Sequence, residues 1–159
     1  NAPPPPSEEG GDTSGPKPAP DLVLTTVDGK AKISLEEQKG KVVLVDLWAT
    51  WCAPCISELP HLQKLSERFD ADDFLMLGIV LESGEPSEVQ EFVTEKGIHY
   101  TQVMGEDGTK ESFGPFLGYP TKYLIDREGN VVRRYFGVRG EELVSDVEEL
   151  INTGSLSSD

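Results

Sequence analysis

The two cysteines of this chain, Cys52 and Cys55, stand two residues apart between a strand pattern and a helix pattern, and that junction limits the fold more than any other feature. Upstream, Val42-Val43-Leu44-Val45-Asp46-Leu47 reads as a buried strand. Downstream, Ile56, Leu59, Leu62, Leu65 and Phe69 recur at helical spacing. A strand that feeds a helix puts the first sulfur at the helix start, where unpaired backbone N–H groups and the helix dipole favour the thiolate. The pair therefore reads as a dithiol/disulfide switch. Two sulfurs supply half of a tetrahedral zinc set, and His61 and His99 have no ligand-pair spacing with them, so no metal is expected. Two cysteines at this spacing, with Pro54 between them, also differ from the isolated cysteine of an inert core.

The rest of the chain supplies an α/β layout around that junction. Asp21–Val27 and Lys30–Ile33 flank Asp28-Gly29 and predict a hairpin. Ser34-Leu35-Glu36-Glu37 has the form of a capping box and predicts one short helical turn. Val42–Trp48 is the central strand. Pro60 lies inside the helical pattern after the cysteines and predicts a kink. Phe74–Leu81 is a second apolar run, expected to lie parallel to the first across a βαβ crossover. Pro86 opens a helix with Val89, Phe92 and Val93 on one face and Gly97 at its stop. A short strand over Ile98–Met104 and a loop over Ser112–Pro120 precede a hairpin, Thr121–Ile125 with Val131–Phe136. Leu143, Val147, Leu150 and Ile151 mark a last amphipathic helix. The sheet is mixed, and the dithiol sits at the C-terminal end of its central strand, where open α/β sheets carry their sites.

Composition sets the boundaries. The first twenty residues hold seven of the twelve prolines and almost no large apolar side chain, so residues 1–20 are expected to form a flexible Pro-rich tether. The folded domain is expected over 21–153, with a disordered tail at 154–159. A net charge of −15 argues against nucleic acid as partner, since phosphate binding needs clustered Lys and Arg. Glu141, Glu142, Asp146, Glu148 and Glu149 read as the solvated face of the last helix. Arg133 and Arg134 point to opposite faces of their strand and make no patch. No run of eighteen apolar residues occurs. The chain begins at Asn1 rather than Met, and the expectation is that an upstream targeting or anchoring segment is missing.

Trp51-Cys52-Ala53-Pro54-Cys55 resembles the active site of the thioredoxin superfamily, and Gly118-Tyr119-Pro120-Thr121 is similar to its cis-proline loop. The longer string Asp46 to Cys55, with Glu58-Leu59-Pro60 and Gly40–Val45, resembles the TlpA/ResA branch of extracytoplasmic, often membrane-tethered thiol–disulfide oxidoreductases. The resemblance covers about Leu22 to Leu150. It implies a thioredoxin-like three-layer α/β/α sandwich with a central mixed sheet and an N-terminal β-hairpin extension. It also implies that Cys52 attacks as thiolate and Cys55 resolves the mixed disulfide. Trp51, Pro54, Tyr119 and a cis Pro120 would form the substrate-binding surface.

Two carboxyls are candidates for the proton of Cys55. Asp46 lies in the apolar strand six residues before Cys52, where burial would raise its pKa; thioredoxin has an Asp at this place, and many of the TlpA/ResA branch do not. Glu82, in Leu81-Glu82-Ser83, matches a glutamate of the ResA-like pattern. The sequence leaves the choice between them open. His61 and His99 are assigned to structure or surface. No metal or organic cofactor is expected. The implied partners are a disulfide-bearing protein substrate and a membrane-bound or soluble dithiol donor, with the chain itself a monomer outside the cytoplasm. The rival readings are a peroxiredoxin-like peroxidase on the same fold and a redox-inert or copper-binding interaction module. Direction of electron flow stays open, because potentials on this architecture span about 150 mV.

Overall fold

In the computed structural model of the protein, residues 16–156 are described. The tether and tail expectations fall largely on residues 1–15 and 157–159, which lie outside the described residues. The ordered fold starts before residue 21. Lys17–Pro18 form strand β1, pairing Val131 and Asn130, and Ala19 N–H donates to the Gly129 carbonyl at 2.9 Å. A strand edge offers unpaired backbone groups, and proline is tolerated there because its missing N–H can face away from the ladder.

The hairpin forms as β2 (Val23–Thr25) and β3 (Lys32–Ser34), followed by a 3-10 turn at Glu36–Gln38 where the Ser34 hydroxyl accepts the Glu37 N–H. Then come β4 (Val42–Trp48), helix α1 (Ala53–Arg68), β5 (Phe74–Val80), α2 (Pro86–Glu95) and β6 (Thr101–Met104). A one-turn α3 (Thr109–Ser112), which the sequence did not signal, precedes β7 (Thr121–Ile125), β8 (Asn130–Phe136) and α4 (Glu141–Thr153). Helix α1 runs through Pro60 to Arg68 as one helix. The main sheet has the order β1-β8-β7-β4-β5-β6, with β4 parallel to β5 and antiparallel to β7, so it is mixed as expected. A backbone bond from Val27 to Gln102 and a bridge between Thr26 and Val103 cover the β6 edge. Among the described residues no helix is long and apolar enough to cross a membrane.

Alternation along β4 separates two apolar layers. Val42, Leu44 and Trp48 face a cluster with Cys55, Leu59 and Leu62 of α1, Val89 and Val93 of α2, and Leu143, Val147 and Leu150 of α4. Val43, Val45 and Leu47 face the opposite cluster, with Leu24 and Leu35 of the hairpin region and Phe113 at the end of α3. The second layer is thin: a hairpin, a 3-10 turn and one turn of helix.

One glycine is required by packing. Gly78 sits in β5 opposite Gln102 of β6, and a Cβ at that position would overlap the Gln102 carboxamide. That carboxamide accepts the buried Trp48 Nε1–H at 2.9 Å. Gly78→Ala is therefore expected to displace Gln102, leave the indole N–H unpaired and destabilise the fold by about 1–3 kcal/mol. Urea titration of the variant beside the parent chain measures this.

Candidate active site

The dithiol is built at the first turn of α1. Cys52 is the N-cap residue, with extended backbone (φ −98°, ψ 107°), and its sulfur accepts the Cys55 N–H at 3.2 Å. Pro54 lies in the first turn, where a missing N–H costs nothing. Cys52 and Cys55 are joined as a disulfide, with Cα atoms 5.2 Å apart. Cys52 is the more accessible of the two, but only 6% exposed against 1% for Cys55. The contrast in exposure between the two is small.

A ledge of aromatic side chains flanks the sulfurs. Trp51 is 61% exposed, and its ring lies edge-on to Tyr119 with centroids 5.6 Å apart. Phe116 also packs edge-on against Tyr119, with centroids 4.9 Å apart, and Leu117, next in the chain, stands exposed. The Tyr119–Pro120 bond is cis. Trp51, Tyr119 and Pro120 thus meet at the end of the sheet that carries the dithiol.

Glu82 fastens this ledge. It is the single non-glycine residue with positive φ (54°) among the described residues, a conformation that costs an L-residue energy unless its surroundings impose it. Its carbonyl accepts the Trp51 indole N–H at 2.8 Å. Its carboxylate oxygen Oε2 accepts Lys110 Nζ at 2.6 Å and the Tyr119 hydroxyl at 2.9 Å. Those two donors, Lys110 foremost, hold its carboxyl below the ordinary value. The Lys110 ammonium also lies over the Phe116 ring, 4.9 Å from its centroid. Four segments are tied together here: the turn before α1, the turn after β5, α3, and the loop before β7.

Asp46 lies in the interior, on the α1 face of β4 by alternation with Leu44 and Trp48. Burial raises its carboxyl to about 7, with Lys122 pulling it down and Glu58 pushing it up. Its Oδ1 has no hydrogen-bond partner. Lys122 is its direct neighbour across the β4–β7 ladder and is fully buried. The Lys122 ammonium donates to Glu58 Oε1 at 2.8 Å and to the Gly137 carbonyl at 2.7 Å. Glu58 Oε2 accepts the Arg139 N–H at 3.1 Å. Glu58 is three residues after Cys55 on α1, so the two share a helix face. Burial first, then the charge of Asp46, pushes the nearby Tyr100 phenol well up.

Sequence reasoning missed Glu58 and Lys122 as site residues. The signal was present for Glu58, because Cys55, Glu58, Leu59 and Leu62 form one i, i+3, i+4, i+7 stripe, and an acid inside an apolar stripe is out of place. His61 is exposed, and His99 donates its backbone N–H to Gln63 Oε1. Among the described residues no group of three or more His, Cys, Asp or Glu side chains is placed to hold a metal ion.

Comparison with known proteins agrees with this geometry. Residues 14–151 match the Redoxin family. The thioredoxin-like protein YneN of Bacillus subtilis is 35% identical over 113 residues, which span 70% of this chain and 65% of that protein. The thiol–disulfide oxidoreductase ResA of Bacillus cereus is 33% identical over 130 residues, 79% of this chain and 72% of the relative. Among solved structures, a thioredoxin-family thiol:disulfide interchange protein from Chlorobium tepidum superposes with a TM-score of 0.77 at 30% identity, covering 88% of this chain and 99% of that one.

Proposed function

Because the chain belongs to the Redoxin family, as a TlpA/ResA-like member of the thioredoxin superfamily, we propose that it is a thiol–disulfide oxidoreductase that reduces protein disulfides outside the cytoplasm. The observation that carries this reading is the Cys52–Cys55 disulfide at the start of α1, with a backbone N–H on the Cys52 sulfur. A thiolate formed at Cys52 keeps that donor and gains the helix dipole.

The cycle runs in two displacements. Cys52 thiolate attacks one sulfur of a substrate disulfide, forms a mixed disulfide with it, and releases the other sulfur as thiolate. Cys55 then gives its proton to Asp46, attacks the Cys52 sulfur, closes the Cys52–Cys55 disulfide and releases the second substrate thiolate. Two electrons pass from the dithiol to the substrate, and the released thiolates take up two protons. A separate dithiol protein returns the pair to its reduced state.

Asp46 is assigned the proton because it is buried on the α1 face with Oδ1 unbonded and its carboxyl raised to about 7, whereas the Glu82 carboxylate is held below its usual value and already bound by Lys110 and Tyr119. Glu82 is instead a positioning residue for the aromatic ledge. The ledge suits an extended peptide, with Trp51, Phe116, Leu117 and Tyr119 offering apolar area beside the sulfurs.

Equilibration of the Cys52–Cys55 pair against dithiothreitol buffers tests the direction of electron flow. A potential near about −270 mV is expected for a reductant, and one near about −120 mV would make the protein an oxidant.

A further inference from the structure

We propose that Lys122 is a positioning residue for the exchange reaction: its ammonium commits Glu58 to a buried ion pair and so leaves Asp46 as the carboxyl that takes and returns the proton of Cys55. The proposal rests on the reading of Cys52–Cys55 as an exchanging dithiol.

Two carboxyls and one ammonium are enclosed together, and the cation serves them unequally. Lys122 stands directly opposite Asp46 in an antiparallel ladder, where paired side chains share a face with Cβ atoms about 4.5–5.5 Å apart. Its Nζ nevertheless bonds to Glu58 and to the Gly137 carbonyl. Glu58 then has both oxygens engaged, one by the ammonium and the other by the Arg139 N–H. Hydrogen bonds to a carboxylate favour its charged form. Asp46 Oδ1 has no such partner.

Like charges in one site are not both ionised cheaply, so Asp46, whose Oδ1 is left without a partner, is the carboxyl that titrates. The titratable groups facing Asp46 are Lys122 from β7, Glu58 from α1 and the Tyr100 phenol ahead of β6, while β5 sets Gly78 beside it. The placement also has a mechanical side. Lys122 follows Pro120 by two residues and Glu58 follows Cys55 by three. One ion pair therefore ties the strand of the cis-proline loop to the helix that carries the resolving thiol.

The test uses the full chain and follows the rate of insulin disulfide reduction from pH 5 to pH 9. In Lys122→Met the midpoint of the pH–rate profile is expected to move up by about one unit or more, because Asp46 loses the nearby cation and keeps Glu58 beside it. In Glu58→Gln the ammonium is left with Asp46 as its one acid, and the midpoint is expected to move down. A midpoint in Lys122→Met that stays at the parent value, with exchange intact, overturns the assignment to Lys122 and leaves the dithiol reading standing. If Lys122→Met fails to fold by circular dichroism, Glu58→Gln decides: a fall supports the proposal, and an unchanged or raised midpoint overturns it. No exchange by the unmodified chain overturns both readings.

Discussion

Cys52→Ser is expected to reduce turnover of a protein disulfide to background, a loss of more than about a thousandfold, because a serine hydroxyl is not ionised near neutral pH and cannot attack sulfur. Cys55→Ser is expected to behave differently. Its Cys52 thiolate still has the backbone N–H at position 55 as donor and still attacks, but nothing resolves the product. One substrate chain then accumulates on Cys52 as a mixed disulfide, seen as a reductant-sensitive band on a non-reducing gel. The asymmetry is the informative part. If both variants trap substrate equally, the two sulfurs are interchangeable, and the assignment from the α1 N-cap is lost. Retained turnover in Cys52→Ser would end the exchange mechanism, because the chain has only two cysteines and one thiol cannot close the cycle. Peroxide consumption by the reduced protein separates exchange from the peroxidase rival. A peroxidatic enzyme would consume hydrogen peroxide in a stopped-flow trace, at a rate that an exchanging dithiol does not approach.

The order of elements was legible because each relied on local signals. The runs at Val42–Trp48 and Phe74–Val80 are too apolar to face water, and the stripe of α1 has the helical period. The Cys-Ala-Pro-Cys junction announced itself for the same reason, since both sulfurs and the turn between them lie in one short window. What stayed hidden depends on pairing across the sheet. Lys122 looked like an ordinary residue of a hairpin strand, and only the β4–β7 register sets it against Asp46. Glu82 was found as a residue but its hydrogen bonds were not, because its partners Lys110 and Tyr119 lie 28 and 37 positions away. Strand β1 was hidden by its own composition. A Lys-Pro pair inside a Pro-rich stretch carries no strand signal, and the β8 edge supplies the reason for it to pair.

Asp46→Asn should show what the buried acid costs the fold and what it gives the reaction. The Asp46 carboxyl rises from 3.8 to about 7 on folding, chiefly through burial. Well below pH 3.8 it is neutral in both states and imposes no penalty, and at pH 4 the penalty is still small. Between pH 4 and pH 7 the unfolded chain ionises while the folded chain holds its proton, so stability falls as pH rises. Above pH 7 the penalty is complete, on the order of 4 kcal/mol at 1.36 kcal/mol per unit. Asparagine keeps the shape and stays neutral. Urea unfolding of the oxidised proteins is therefore expected to give Asp46→Asn and the parent chain similar stability at pH 4, with the variant ahead by several kcal/mol at pH 8. Exchange should move the other way, with Cys55 slower to resolve by about a hundredfold at pH 7 for want of a proton acceptor. A stability difference that does not change with pH would show that Asp46 does not titrate with folding, and the proton would then have to leave Cys55 by another route. If instead both shifts appear, the cost at position 46 is tied to function. A core acid that weakens the fold near neutral pH would then be explained by the second displacement, which needs somewhere to put a proton.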